Sequence, residues 1–183
     1  MTKYQAALAM AAVLPGQAHA ELAHVRSEFR FTLDVPYESA APLFGALKEQ
    51  KWDPEWKPEF LYPDPPADQA GAIFRVDHGS HSSLWTTDVF DLPGGRVQYV
   101  SIIDGVMLTR IDIRLSKTGA ESTGVSVAYE RTALDPGANP HVRSLAANDA
   151  GQAPHWKAAI EHYWKSAKLN PGRSGTSLQS PPQ

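Results

Sequence analysis

The side chains able to do chemistry in this sequence are few. There is no cysteine among the 183 residues, which removes disulfides, thiolate metal sites and a cysteine nucleophile. Ser80, Ser82 and Ser83 stand without the glycine pattern of a nucleophile elbow. No glycine-rich phosphate loop occurs either. His78 and His81, three apart across Gly79-Ser80, could give a metal ion two ligands, but zinc asks for a third and a fourth. Asp77 and Asp88 are near them only along the chain, so the pair reads as two loop histidines at a hairpin. His141, His155 and Asp112 have the residue types of a general acid–base set, and nothing in their spacing brings them together.

Arg131 carries more information. Thr123, Val125, Val127, Tyr129 and Arg131 alternate along one side of a strand. Four of the five suit an interior or a pocket wall. The fifth is a guanidinium, which stays charged at any ordinary pH and must find acceptors. Glu130 points to the opposite face. The partner is then Asp88, Asp112 or Glu49 in a salt bridge at the sheet end, or an anionic or carbonyl group of a ligand.

The aromatic residues suggest where a ligand would lie. Trp52–Pro63, W-D-P-E-W-K-P-E-F-L-Y-P, holds two tryptophans, a phenylalanine and a tyrosine among three prolines. Each proline removes a backbone donor and holds the preceding residue extended. Large aromatics on so stiff a strip belong across the mouth of a core or a cavity. The cavity candidates are Trp52, Trp56, Phe60, Trp85, Tyr99, Met107, Tyr129, Arg131 and Trp164. Ordinary core packing competes with ligand contact at each of them. Trp52 and Trp56 read either as rim residues or as packing against the closing helix.

These residues need elements to hold them. His24–Val35 alternates with Val25, Phe29, Phe31, Leu33 and Val35 on one face and charged or polar residues on the other, the pattern of a half-buried strand. Glu38–Leu47 predicts a short helix. Further strands are predicted at Ala72–Asp77, Ser83–Leu92, Arg96–Ile103, Val106–Ser116 and Thr123–Leu134, punctuated by Gly79, Pro93-Gly94-Gly95, Asp104-Gly105 and Thr118-Gly119-Ala120. Connections this short imply an antiparallel meander. Arg110, Asp112 and Arg114 would form a solvated ladder with Glu28 and Arg30. Pro140–Asn148 predicts one helix. Pro154–Leu169 predicts a longer one with Trp156, Ala159, Ile160, Tyr163, Trp164 and Ala167 on one stripe. Lys157, Glu161, Lys165 and Lys168 face away, with Glu161–Lys165 as a favourable pair. The expected fold is α+β: a curved antiparallel sheet of about six or seven strands around this long helix.

The composition is that of a soluble globular domain, 42% hydrophobic and 20% charged. The net charge of −3, with no run of Lys or Arg, excludes a nucleic-acid surface. Met1–Ala20 has one early Lys, an apolar run over Ala6–Leu14 and Ala18-His19-Ala20 as a small-x-small site. That is the layout of a signal peptide, expected to direct the chain to the periplasm or outside the cell. The alternative is an Ala-rich extension of a cytoplasmic protein. The apolar run is too short for an integral membrane segment. Residues 170–183 predict a disordered tail after Asn170-Pro171-Gly172.

The element order, with three stretches, resembles the SRPBCC superfamily, the group of START domains, polyketide cyclases and birch-pollen allergens. The stretches are Phe29–Phe44, the Trp52–Pro63 strip, and V-x-Y-E-R-T-A-L over Val127–Leu134. The likeness spans residues 24–169. It implies a helix-grip domain with a hydrophobic cavity between sheet and C-terminal helix. It further implies that the chain binds a small hydrophobic or aromatic molecule such as a lipid, quinone or polyketide. The alternatives are a cyclase- or hydrolase-type enzyme acting in that cavity, or a filled core with a structural or interaction role. Nothing points to a cofactor, and without cysteine the usual Rieske-type cluster has no ligands.

Overall fold

The computed structural model describes residues 21–169. The leader read over residues 1–20 and the tail read over 170–183 lie outside them. Seven antiparallel strands form one sheet: β1 (His24–Leu33), β2 (Glu59–Tyr62), β3 (Ile73–Asp77), β4 (Ser82–Asp91), β5 (Arg96–Ile103), β6 (Met107–Gly119) and β7 (Ser122–Ala133). Their order is β1-β7-β6-β5-β4-β3-β2. The first strand therefore pairs with the last, and the rest follow as a meander.

Strand alternation decides which face is buried. Leu33 of β1, Phe74 of β3, Val97 of β5, Ile113 of β6 and Val127 of β7 are wholly buried on the inner face. The outer face is charged, as expected, but the ladder is wired differently. Asp112 takes Arg96 at 2.8 Å and Arg114 at 3.0 Å, while Glu28 holds Arg30 and Ser126 at 2.6 and 2.8 Å. β2 was hidden in the aromatic strip. Its flanking Pro58 and Pro63 confine it to the sheet edge, where it pairs with β3 alone.

The single helix expected at Glu38–Leu47 is broken. It becomes α1 (Tyr37–Ala40), a 3-10 turn at Ala41–Leu43 and α2 (Ala46–Glu49). Phe44 is extended and Gly45 adopts φ 127°, ψ 140°, a conformation open only to glycine. A Cβ there would meet Asp68 Cγ at 2.7 Å. Asp68 Oδ1 in turn accepts the Leu47 amide at 2.7 Å, capping the second helix. The break re-aims α2, so that Glu49 turns into the interior.

The chain closes with α3 (Asn139–Asn148), a 3-10 turn at Asp149–Gly151 and α4 (Gln152–Leu169). α4 starts two residues before Pro154, since proline is tolerated in a first helical turn. Its Ile160 is wholly buried in the main core, with Trp156, Ala159, Tyr163 and Trp164 packed half-buried around it. Glu161 pairs with Lys157 at 2.6 Å, not with Lys165, because Lys157 also reaches Asp34 and the Thr32 carbonyl on β1. The helix is thereby tied to the inner side of the sheet at its β1 edge, the helix-grip arrangement. A smaller cluster, Ala23, Met107, Ala133 and Val142, lies under α3.

Gly45→Ala is expected to cost about 1–3 kcal/mol, through forced backbone strain and displacement of Asp68. Urea unfolding measures it; an unchanged midpoint would show that the break at Gly45 is not required.

Candidate functional site

Two cavities open between the sheet and the helices. The first, about 190 Å³, is lined by Glu49, Trp52, Asp53, Trp56, Trp85, Tyr99, Ile111, Ile113, Tyr129 and Trp156. The second, about 290 Å³, is lined by His78, His81, Ser83, Trp85, Ser101, Ile103, Met107, Thr109, Ile111, Tyr129, Arg131, His141 and Leu145. Trp85, Ile111 and Tyr129 form their common wall. A larger depression, about 440 Å³, lies on the outer sheet face among Arg30, Arg114, Gly124 and Ser126. It is an open trough with Phe31 as its one aromatic lining residue.

The first cavity is built from the broken helix. The Trp52 indole donates to the Leu43 carbonyl and the Trp56 indole to the Ala46 carbonyl, both at 2.8 Å. The two tryptophans are thus hung from the backbone around Gly45, and their rings close one side of the cavity. Trp52 meets Trp156 of α4 at 5.4 Å between centroids, inclined 56°. Trp56 meets Trp85 of β4 at 5.1 Å, inclined 80°. Trp52 is buried and Trp56 half-buried, so packing and cavity wall are one role for both, not the alternatives they seemed in sequence.

Glu49 is the polar centre of this cavity. It is 6% exposed. Its Oε1 accepts the Gly45 amide at 3.2 Å and the Tyr99 hydroxyl at 3.1 Å. Among the described residues Oε2 has no hydrogen-bond donor. Burial pushes the carboxyl up to about 7, against the pull of those two hydrogen bonds and with the nearby Asp68 and Asp53 adding to the rise. Burial and the Glu49 carboxylate hold the Tyr99 hydroxyl well above its ordinary value. In sequence Glu49 figured only as a possible partner for Arg131. The signal that could have found it is Gly45, four residues earlier, which ends the first helical piece.

Arg131 is the clearest correction. None of Asp88, Asp112 and Glu49 pairs with it. Its partner is Asp149, in the turn between α3 and α4, with Nη1 to Oδ2 at 2.5 Å and Nη2 to Oδ1 at 3.0 Å. Their side chains are 7% and 8% exposed. Ser27 of β1 also donates to Asp149, and the guanidinium lies 4.3 Å over the Tyr129 ring. Both terminal nitrogens are committed to a protein carboxylate, so Arg131 is a structural clamp in the wall of the second cavity. The buried-pair reading holds, with a partner that strand alternation could not supply.

The histidines behave partly as expected. His78 and His81 stack at 4.9 Å on the β3–β4 hairpin. Among the described residues no cluster of three or more His, Cys, Asp or Glu could hold a metal ion. His78 Nε2 lies 2.9 Å from Ser83 Oγ, which also accepts the Trp85 indole at 2.6 Å. Burial, then the neighbouring His81, lowers the His78 pKa. Of the acid–base trio, His141 lines the second cavity, His155 is exposed and Asp112 sits on the outer face. The structure does not bring them together.

Seven of the nine cavity candidates face one cavity or the other. Phe60 of the edge strand meets Phe74 at 5.4 Å, inclined 31°, and Trp164 packs further along α4 under the Lys168 ammonium at 4.7 Å. Neither is a cavity wall. Trp156, which the stripe placed on the right helix face, is the α4 residue that takes that role.

No protein-family profile and no curated protein matches the chain. Solved structures do. Norcoclaurine synthase from Thalictrum flavum superposes with a TM-score of 0.57 at 13% identity, over 91% of this chain and 99% of that one. Ara h 8.0201 gives 0.58 at 18% identity, over 79% and 99%. The Zhui aromatase/cyclase from Streptomyces sp. R1128 gives 0.54 at 14%, over 85% and 100%. At these identities the likeness establishes the helix-grip fold.

Arg131→Met leaves Asp149 buried without its counter-charge, so a loss of about 3–5 kcal/mol is expected. Arg131→Met combined with Asp149→Leu should recover most of it, because an apolar pair has no charge to desolvate. Chemical denaturation of both variants checks this, and a double variant no more stable than Arg131→Met would show that the unpaired Asp149 charge is not what costs stability. For Glu49 the folded chain holds its proton from pH 4.5 up to about 7, where the unfolded chain has lost it. Stability from this group is therefore full below pH 4.5 and falls by about 3 kcal/mol as the pH rises through 7. Glu49→Gln should flatten that fall and be the more stable protein at pH 8. Unfolding curves at pH 5 and pH 8 decide it, and an identical pH slope in the variant would show that Glu49 ionises normally.

Proposed function

We propose that the protein binds a small, mainly apolar, ring-sized molecule between the sheet and α4. The observation that carries this is the first cavity, about 190 Å³ walled by four tryptophans and two tyrosines. Apolar cavities of comparable size accept a single aromatic ring. The second cavity, sharing Trp85, Ile111 and Tyr129, gives room for a second ring or a short substituent with polar ends near Ser101 and Thr109. These volumes favour quinone- or phenol-sized compounds over a long-chain lipid. The solved neighbours with this fold include a synthase and an aromatase/cyclase by name, which supports ligand handling over a filled core.

Catalysis in the same cavity is the second reading. It is favoured by Glu49, a buried carboxyl with a pKa near neutrality and a free oxygen, the properties of a general acid or base. No oxyanion site or nucleophile stands beside it among the described residues, so binding is the primary proposal.

The test is thermal unfolding of the purified chain against single- and two-ring phenols, quinones and aromatic amines. Binding should raise Tm by mass action. Ile111→Phe, on the common wall, should weaken any ligand found by tenfold or more by filling its space, at a cost to the ligand-free fold of about 1–3 kcal/mol at most. No shift across the panel would overturn the proposal, and conversion of a bound compound would promote the catalytic reading.

A further inference from the structure

The charge and the walls of the first cavity narrow its ligand to one class. Its lining holds two carboxyl residues, Glu49 and Asp53, and no lysine, arginine or histidine. All its other polar groups are tyrosine hydroxyls and indoles. The second cavity is the reverse: every charged or ionisable side chain other than Tyr129 in its lining is basic or imidazole. The acids thus line one space and the basic and imidazole side chains the other, across the wall of Trp85, Ile111 and Tyr129, with Arg131 already paired to Asp149.

Six aromatic rings surround the first cavity: Trp52, Trp56, Trp85, Tyr99, Tyr129 and Trp156. The Trp52–Trp156 and Trp56–Trp85 pairs are inclined, at 56° and 80°, rather than stacked. Trp85 stacks one face on Phe74, and Arg131 lies over one face of Tyr129, so the rings a guest would chiefly meet are Trp52, Trp56, Tyr99 and Trp156. The negative face of an indole attracts a cation, most strongly where water is excluded. Glu49 lines this cavity, and among the described residues its Oε2 has no donor, since Oε1 serves Gly45 and Tyr99. A neutral apolar guest would use the rings and leave that oxygen bare. A guest with a positively charged nitrogen would use both.

We propose that the first cavity is an aromatic cage for an organic cation, an amine or quaternary ammonium on a compact apolar body, with Glu49 as its counter-charge. This rests on the ligand-binding reading above and specifies the ligand class. Cation binding is then linked to the ionisation of Glu49. The titratable groups around it are Asp53 on the same segment, Asp68 from the loop before β3, Tyr99 from β5 and Tyr129 from β7; α4 brings only Trp156 to the cavity. With Glu49 near 7, roughly one tenth is ionised at pH 6 and nine tenths at pH 8.

The test uses two probes of the same shape, phenyltrimethylammonium and tert-butylbenzene, followed by tryptophan fluorescence. The ammonium probe has no proton to lose, so only the protein titrates. It should bind at least tenfold more tightly than the hydrocarbon at pH 8, and about tenfold more tightly at pH 8 than at pH 6. In Glu49→Gln the preference for the ammonium probe should shrink and its pH dependence vanish, which separates Glu49 from the histidines of the second cavity. The variant's fold is checked by its circular dichroism. Equal affinity for both probes overturns the cage and leaves the cavity reading standing. An unchanged preference in Glu49→Gln removes the counter-charge and overturns the proposal. Binding of neither probe, with no ligand in the wider panel, overturns both readings.

Discussion

A buried ion pair holds this architecture together. Arg131 on β7 and Asp149 in the α3–α4 turn meet bidentately beneath the helices, with Ser27 of β1 closing the third side. A guanidinium on an inner sheet face cannot shed its charge, so its carboxylate must come to it. The turn that carries Asp149 is therefore pinned to the sheet. That pinning sets where α3 ends and α4 begins, and hence which residues of α4 reach Trp52. Hydrophobic packing is non-directional, whereas the bidentate pair fixes the geometry between that turn and β7.

The cavities follow from that geometry together with the break at Gly45. A continuous helix over Glu38–Leu47 would lay its apolar side on the sheet and fill the space. Extended Phe44 and Gly45 at φ 127° turn α2 away, hang Trp52 and Trp56 by their indole nitrogens, and bring Glu49 under Tyr99. The same device creates the room and places the buried Glu49 carboxyl within it. Burial of that carboxyl costs stability at neutral pH. A destabilising buried acid lining an open volume is the observation that supports the ligand-binding proposal.

The two cavities divide the polar groups by sign, and the division has a topological origin. The inner faces of β6 and β7 run past both spaces, so Ile111 and Tyr129 are shared. The acids come from the α2 segment at one end, and the histidines from the β3–β4 hairpin and α3 at the other. Sheet curvature brings these distant stretches to opposite sides of Trp85.

Most of the frame was legible in the sequence, because strand alternation and the stripe of the closing helix report burial directly. The strand read over His24–Val35 appears as His24–Leu33, and Arg96–Ile103 and the inner faces of β6 and β7 appear where periodicity placed them. So did the aromatic character of the cavity: Trp52, Trp56, Trp85, Tyr99 and Tyr129 all line it. What periodicity cannot express is partnership across the fold. Asp149 lies 18 residues from Arg131, on a turn without regular spacing, and nothing local marks it as a partner. Glu49 sits 50 residues from Tyr99, and its burial depends on a backbone turn that only a glycine at position 45 permits. The sequence alone determined the sheet, the closing helix and the rings available to a ligand. The tertiary structure decided which charges meet, which are buried, and on which side of the wall each one falls, because those are set by distances between elements and not by the order of residues within one.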